Sequence, residues 1–123
     1  MMNDELGSDL KHRTKDFALR VIKLYSAMPK STVAQVIGKQ ILRSGTSVRA
    51  QYREGCRSRS NAEFISKMES GLQELDETSY WFELLAESEI VKVERLRDLR
   101  DEANQLTAIF VASVKTAKAR KKA

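Results

Sequence analysis

Residues that end secondary structure or cross-link a chain are scarce in this sequence. Its 123 residues include 5 glycines, 1 proline and 1 cysteine. Sheets and irregular folds place glycine and proline at their many turns, so this scarcity favours a few long helices. The single cysteine, Cys56, excludes an intramolecular disulfide and is typical of the reducing cytoplasm.

Long apolar segments are missing as well. No run approaches the ~20 residues that span a bilayer, and the polar start lacks the apolar segment of a signal peptide. Hydrophobic residues still make up 41% of the chain, which is too many for an intrinsically disordered protein. We therefore expect one cytoplasmic domain over residues 1–123, with flexible ends near 1–9 and 117–123 and no membrane partner.

Charges of one sign cluster along the chain. Residues 30–59 carry seven bases and one acid, whereas residues 60–89 carry one base and eight acids. The last nine residues add five more bases. A chain sorted in this way presents oppositely charged surfaces.

Apolar residues recur at spacings of three and four, which predicts four amphipathic helices. Each helix would bury one stripe of side chains against the others. The four stripes, in chain order, are Phe17, Val21, Leu24, Tyr25 and Met28; Val33, Ile37, Ile41, Ser44, Val48, Tyr52 and Gly55; Phe64, Met68, Leu72, Leu75, Ser79, Phe82 and Ala86; and Leu96, Leu99, Ala103, Leu106, Phe110 and Val114.

Short connections separate the four stripes. Pro29 disfavours helix at the residue before it and ends the first helix, and residues 88–92 form the last break. Two capping boxes begin the second and third helices: Thr32 with Gln35, and Ser60 with Glu63. Helices joined by such short breaks run antiparallel, so the sequence predicts an all-α, antiparallel up-down-up-down four-helix bundle.

The second helix is unusually rich in small residues. Glycine inside a helix costs ~1 kcal/mol relative to alanine, so a compensating contact is expected. Close helix–helix approach, within the bundle or between subunits, is one explanation, and a tolerated weak point is the other. The small residues are Gly38, Ser44, Gly45, Thr46, Ser47, Ala50 and Gly55.

Several segments of the chain resemble a known bacterial family. They are ILRSGTSVRAQYREG at 41–55, RSRS at 57–60, EFI at 63–65, and the stretches 74–81 and 17–30. Together they look like the four helix bundle proteins, also called 23S rRNA intervening-sequence proteins, over roughly residues 14–115. The core RSGTSV at 43–48 is the specific part, and Gln51 departs from the family, which more often has Asn there.

The resemblance implies an antiparallel four-helix bundle that assembles into a ring of five identical subunits. It also implies a distant kinship with the accessory protein of diversity-generating retroelements, which works beside a reverse transcriptase and RNA. The molecular activity of the family is poorly defined, so the resemblance says more about fold than about function.

No residues are spaced as a catalytic, metal-binding or cofactor-binding set. His12 is the only histidine, and Cys56 has no second cysteine with which to hold zinc. Neighbouring arginines could activate Cys56, although a passive thiol is the simpler interpretation. Glu69, Asp76 and Glu83, spaced by seven, share one helix face but have no adjacent histidine, so we interpret them as a stripe that pairs with bases of a neighbouring helix. We expect no enzyme activity, metal or cofactor.

The second helix presents bases opposite its apolar stripe. At 100° per residue they fall within an arc of roughly 120°, interrupted only by Glu54. Such a face can bind a phosphate backbone or an acidic protein; the alternative is a solvated face with salt bridges to other subunits. With one base from the break that follows, the predicted nucleic-acid-binding residues are Lys39, Arg43, Arg49, Arg53, Arg57 and Arg59.

Three apolar side chains project away from the stripe of the third helix: Tyr80, Trp81 and Leu84. Large exposed apolar patches usually mark contacts, so these residues are predicted to form an oligomer interface. Coverage by the last loop is the alternative.

Two functions fit these features. The leading interpretation is a non-enzymatic, ring-forming bundle that binds nucleic acid, RNA before DNA, mainly through phosphates. Proteins that stack on nucleobases interleave aromatic residues with Lys and Arg. This chain lacks that pattern, which predicts low sequence specificity. The alternative is an oligomeric scaffold or adaptor that docks a protein partner.

Overall fold

The computed structural model of this protein describes residues 4–122, with side chains over residues 9–120. This part of the chain forms four helices and contains no strand, as predicted. The helices are α1 (Asp4–Ser26), α2 (Thr32–Cys56), α3 (Asn61–Glu87) and α4 (Val93–Lys122).

The four helices pack in chain order around one core. α1 lies against α2, α2 against α3 and α3 against α4, while a smaller contact between α1 and α4 closes the bundle. The predicted antiparallel up-down-up-down arrangement is confirmed. Within residues 4–122, no helix combines the length and the apolar character needed to cross a membrane.

Helix extends into both end segments that were expected to be flexible. α1 begins at Asp4 and α4 reaches Lys122. Leu10 is fully buried and Ala117 nearly so. The side-chain amide of Asn61 also donates a hydrogen bond to the carbonyl of Ala117 at 2.7 Å. The last turns of α4 are therefore attached to the start of α3.

The start of α2 differs by one residue from the prediction. Ser31, not Thr32, is the N-cap, and its hydroxyl accepts a hydrogen bond from the backbone N–H three residues further on. Gln35 closes no capping box. Its amide donates to the carbonyl of Pro29, and its oxygen accepts from the hydroxyl of Tyr25, both at 2.8 Å. Gln35 therefore ties α2 to the end of α1.

Ser60 is the N-cap of α3, as the sequence predicted, but the reciprocal contact of the predicted capping box goes to the residue before the cap. The hydroxyl of Ser60 accepts a hydrogen bond from the N–H of Glu63 at 3.1 Å. The carboxylate of Glu63 reaches back to the N–H of Arg59 at 3.4 Å. The first contact satisfies a backbone donor that the first turn of a helix leaves without an intrahelical partner, and the second holds the chain just before the cap.

The break between α3 and α4 forms without glycine or proline. Glu89 has φ of 60°, in the left-handed region that usually favours glycine at a helix end. Its N–H donates to the carbonyl of Ala86 at 3.1 Å, which helps to close the last turn of α3. The predicted break at residues 88–92 is thus confirmed.

The predicted stripes supply most of the core, with two corrections. Val33 was placed in the core stripe of α2 but is 59% exposed, because its neighbour Ala34 takes the core position in the first turn. Leu72 is only partly buried and packs at the edge of the core. The other stripe residues are buried or partly buried.

Two of the glycines in α2 explain its richness in small residues. A Cβ atom at Gly38 would lie 2.8 Å from the ring of Tyr25, and one at Gly45 would lie 2.8 Å from Val21. Real Cβ atoms do not approach so closely, so glycine lets α1 and α2 come together at these points. Of the two explanations offered for the small residues, close helix–helix approach is therefore the one that applies at these positions, and the approach lies within the bundle.

Candidate nucleic-acid interface

The bases predicted to bind nucleic acid lie on the outside of the bundle. Arg49 is half-buried, and the other five residues of the set are exposed. Helical periodicity accounts for this placement, because the apolar stripe of α2 faces the core and its bases lie on the opposite side. The predicted arc is present as a surface, but its members differ in their surroundings.

Arg43 is neutralised by α3. Its guanidinium forms ion pairs with Glu77 and with Glu74, the latter at 3.4 Å. These partners lie within the same chain, and the pairing removes Arg43 from the set of cations available to a ligand. Sequence periodicity could not show this, because it does not indicate which side of α2 faces α3.

The single acid of α2 also points towards α3. Glu54 lies 3.7 Å from the ammonium of Lys67. No other Asp or Glu occurs between Thr32 and Cys56. Lys39, Arg49, Arg53, Arg57 and Arg59 form no ion pair with any side chain in the described range 9–120. We call these five residues the basic face.

Tyr52 lies beneath the basic face. Its side chain is buried in the core, where its ring packs 6.0 Å from that of Phe110. Burial and a hydrogen bond with the side chain of Cys56 raise the pKa of Tyr52 above its ordinary value, although Arg49 acts in the opposite direction. The phenol therefore stays neutral at physiological pH and adds no negative charge beneath the basic face.

The predicted oligomer residues all lie on α3, where Tyr80 is one wall of the groove between α3 and α4. Tyr80 is 51% exposed, whereas Trp81 and Leu84 are half-buried. The rings of Tyr80 and Trp81 meet edge to face, with centroids 5.0 Å apart. The last loop does not cover Tyr80, so coverage does not explain this residue.

Two valines extend this apolar surface, and the sequence interpretation missed their role. Val33 and Val36 on α2 are 59% and 55% exposed. Val36 is seven residues before Arg43 and therefore shares its side of α2. Trp81 and Leu84 likewise follow, by seven residues, the two acids of α3 that contact Arg43. Because the helices are antiparallel, both sets continue along the same junction towards the same end of the bundle. We call Val33, Val36, Trp81 and Leu84 the apolar patch, whereas Tyr80 contacts Trp81 but lines the groove between α3 and α4.

The acidic stripe of α3 behaves only partly as predicted. Glu69 pairs with Lys118 of α4 at 3.4 Å, which matches the expected contact with a neighbouring helix. Asp76 and Glu83 instead line an open groove of about 430 Å³ between α3 and α4, with Arg100 on the other wall. Neither acid forms an ion pair with a described side chain.

The groups considered for chemistry remain dispersed. His12 and Cys56 are both exposed and lie on different helices. Among the described residues, no three His, Cys, Asp or Glu side chains are grouped in a way that could hold a metal ion. What the structure brings together are surfaces, one basic and one apolar, on two flanks of α2.

The fold places this chain in the broad class of all-α four-helix bundles. Comparison with known proteins gives the family. Residues 8–112 match the family described as 23S rRNA-intervening sequence protein, so this chain belongs to that family. No curated protein matches the chain.

A solved structure supports the fold assignment. It is a crystal structure, at 1.70 Å resolution, of a protein with unknown function from the S23 ribosomal protein family of Bacteroides thetaiotaomicron. The two sequences are 33% identical, and the similarity covers 89% of this chain and 97% of the other. The TM-score of 0.84 shows that the two proteins share the same four-helix architecture.

Proposed function

We propose that this protein is a cytoplasmic, non-enzymatic bundle that binds nucleic acid, RNA in the first place, through the basic face of α2. The observation that carries the proposal is the segregation of charge on that helix. The one acid of α2 and Arg43 are paired with α3, while the other bases meet solvent without acidic partners among the described side chains. A phosphate backbone fits such a face because each neutralised phosphate releases counterions.

RNA is the preferred candidate for two reasons. The family takes its name from insertions in 23S rRNA. The sequence resemblance also implies a distant relationship to the accessory protein of diversity-generating retroelements, which works beside RNA. The basic face offers no set of hydrogen-bonding side chains arranged to read base edges, so its affinity should depend little on sequence.

The binding test uses a double charge reversal on the basic face. Arg49→Glu with Arg53→Glu should abolish binding of a fluorescent RNA duplex, as measured by anisotropy. Binding by the unaltered protein should fall steeply between roughly 50 and 200 mM salt, because phosphate contacts dominate. The helical circular dichroism signal should be unchanged, since both side chains point outward.

A matched control separates the basic face from overall charge. Arg95→Glu with Arg97→Glu makes the same change of net charge at two exposed positions on α4. Affinity close to that of the unaltered protein is expected. Equal losses in the two double variants would show that net charge, and not the basic face, drives binding. Absence of binding to any RNA at low salt would refute the proposal.

We further propose that the protein assembles with itself into a ring, of five subunits as the sequence resemblance implies, through the apolar patch. Exposed valines beside an edge-to-face Tyr–Trp pair leave apolar surface that a second copy could bury. A ring would present the same basic face several times to one long ligand and so raise avidity.

The assembly test places a charge in the apolar patch. Val36→Glu combined with Leu84→Glu should convert the oligomer into a 14.0 kDa monomer, as measured by light scattering. A monomeric mass for the unaltered protein at micromolar concentration would refute assembly. An oligomer that persists in the variant would move the interface elsewhere.

The alternative function is a scaffold that docks a protein partner, and the apolar patch is the observation that favours it. A patch of this kind could receive a partner helix instead of a second copy. A protein that assembles normally but shows no salt-dependent binding of nucleic acid would leave the scaffold as the better proposal.

A further inference from the structure

The register of α1 against α2 shows which residues of α1 lie beside the basic face. Gly45 packs on Val21 and Gly38 packs on Tyr25, which fixes both the side of α1 that meets α2 and the level at which they meet. The helices run antiparallel. Residues that precede Val21 therefore lie level with residues that follow Gly45.

Two lysines of α1 fall beside the basic face. Lys11 is fourteen residues before Tyr25 and so lies on nearly the same side of α1, and Lys15 is one turn further on. At 1.5 Å per residue, Lys15 lies roughly 9 Å from the level of Val21 along the helix, between the levels of Arg49 and Arg53. Lys11 lies about one turn beyond, at the far side of Arg53.

The two acids of α1 whose side chains are described, Asp9 and Asp16, each pair with an arginine of the same helix. Asp16 pairs with Arg20 at 3.7 Å, and Asp9 pairs with Arg13 at 3.6 Å. Arg13 in turn reaches Glu102 of α4 at 2.7 Å, so this pair lies on the α4 side of α1.

The two lysines keep their charge available to a ligand. Lys11 and Lys15 are exposed, and they form no ion pair with a described side chain. The junction of α1 and α2 is consequently cationic on both of its walls.

No phenylalanine, tyrosine or tryptophan side chain of α1 or α2 is exposed on this junction to stack on a nucleobase, within the range 9–120. Among the described residues of α1 and α2, Phe17 and Tyr52 are buried. Tyr25 is half-buried, and its hydroxyl donates to Gln35. Proteins that hold single strands combine positive charge with aromatic stacking, so this surface lacks half of that mechanism. A duplex, with one charge per roughly 1.7 Å of axis, offers about twice the charge density of a single strand.

We infer that the α1–α2 junction, formed by Lys11, Lys15, Arg49 and Arg53, is a binding site for double-helical nucleic acid that prefers a duplex to a single strand. The inference rests on the proposed function, because it takes nucleic acid as the ligand. It adds a second helix to the site and specifies the class of ligand.

The test compares two probes of equal length. One is a fluorescein-labelled RNA duplex of about 20 base pairs, and the other is an unstructured oligouridine of about 20 nucleotides. The unaltered protein should bind the duplex about tenfold more tightly at moderate salt. Equal affinities, or tighter binding of oligouridine, would overturn the preference for a duplex.

The contribution of α1 is tested by Lys11→Gln with Lys15→Gln. Loss of two phosphate contacts should lower the slope of log affinity against log salt by about 2 for the duplex. Arg95→Gln with Arg97→Gln is the matched control on α4 and should leave the slope unchanged. An unchanged slope in the α1 variant, together with lost binding in the Arg49→Glu, Arg53→Glu variant, would overturn this inference but not the proposed function.

Discussion

Both flanks of α2 carry arginines, but only the arginine on one flank is paired with acids. On the flank that meets α3, Arg43 lies between Glu74 and Glu77 and is neutralised. On the flank that meets α1, Arg49 and Arg53 form no ion pair with any described side chain. A row of bases on a helix is therefore not one surface, because the neighbouring helices decide which cations remain available.

The same two flanks differ in the space around the glycines of α2. Gly45 allows α2 to approach Val21 of α1. Gly55, on the α3 flank, has its nearest neighbour, the Cβ of Lys67, at 3.4 Å from where its own Cβ would lie. At Gly45 the α1 flank is thus closely packed beneath a cationic surface, whereas the α3 flank has room for a methyl group at Gly55 and carries the charge pairs of Arg43 and the apolar patch.

The largest expected effect is on the free energy of unfolding, when a methyl group is added where α1 and α2 approach most closely. Gly45→Ala should destabilise the bundle by about 1–3 kcal/mol, because the new methyl group overlaps Val21 and the gain in helix propensity offsets only part of that cost. Gly55→Ala should be neutral or stabilising by up to ~1 kcal/mol, since its Cβ fits. Urea unfolding of the two variants measures the difference. Equal destabilisation would show that the two flanks are packed alike.

A smaller effect separates the two kinds of arginine in binding. Arg49→Gln should weaken duplex binding by about three- to tenfold and lower the salt slope by about 1, because it removes one phosphate contact. Arg43→Gln should change affinity by less than about twofold, since acids already neutralise Arg43. Anisotropy titrations at two salt concentrations measure both. A loss for Arg43→Gln as large as that for Arg49→Gln would erase the distinction between the flanks.

The smallest effect concerns the stability that the Arg43 pairs contribute. Arg43 is half-exposed, so its removal should lower the free energy of unfolding by less than ~1 kcal/mol. The deficit should shrink further in high salt, where exposed charges are screened. Urea unfolding at low and high salt tests this. A deficit that is unaffected by salt would indicate a packing role for the arginine stem.

Much of the fold could be predicted because its signals are local. Apolar spacing located four helices, and Ser60 with Glu63 marked the start of α3 through contacts only three residues apart. The start of α2 was misplaced because Ser31 and Thr32 can both cap a helix, and only the backbone conformation at Ser31 distinguishes them. Val33 was misassigned for a similar reason, since periodicity alone does not show which of two adjacent apolar residues faces the core.

The candidate site could be predicted only in part. The arc of α2 follows from helical periodicity, so its bases were found from the sequence. Lys11 and Lys15 were missed, because they are ordinary exposed lysines until α1 is set against α2 in a particular register. Val36 was missed for the complementary reason. A single exposed valine carries no signal until it lies on the same junction as Trp81 and Leu84.

The sequence by itself determined the class of this protein, its four helices, the order of those helices and the outward direction of the bases on α2. These properties depend on spacing within one helix and on short connections, and both are readable from the chain. Only the tertiary structure decided that Arg43 is paired, that Lys11 and Lys15 of α1 lie beside the basic face, and that the apolar patch spans two helices. Those properties depend on the side on which neighbouring helices pack and on their register. Contacts such as those of Gly45 with Val21 and Ser44 with Thr78 set these features between residues that are distant in sequence.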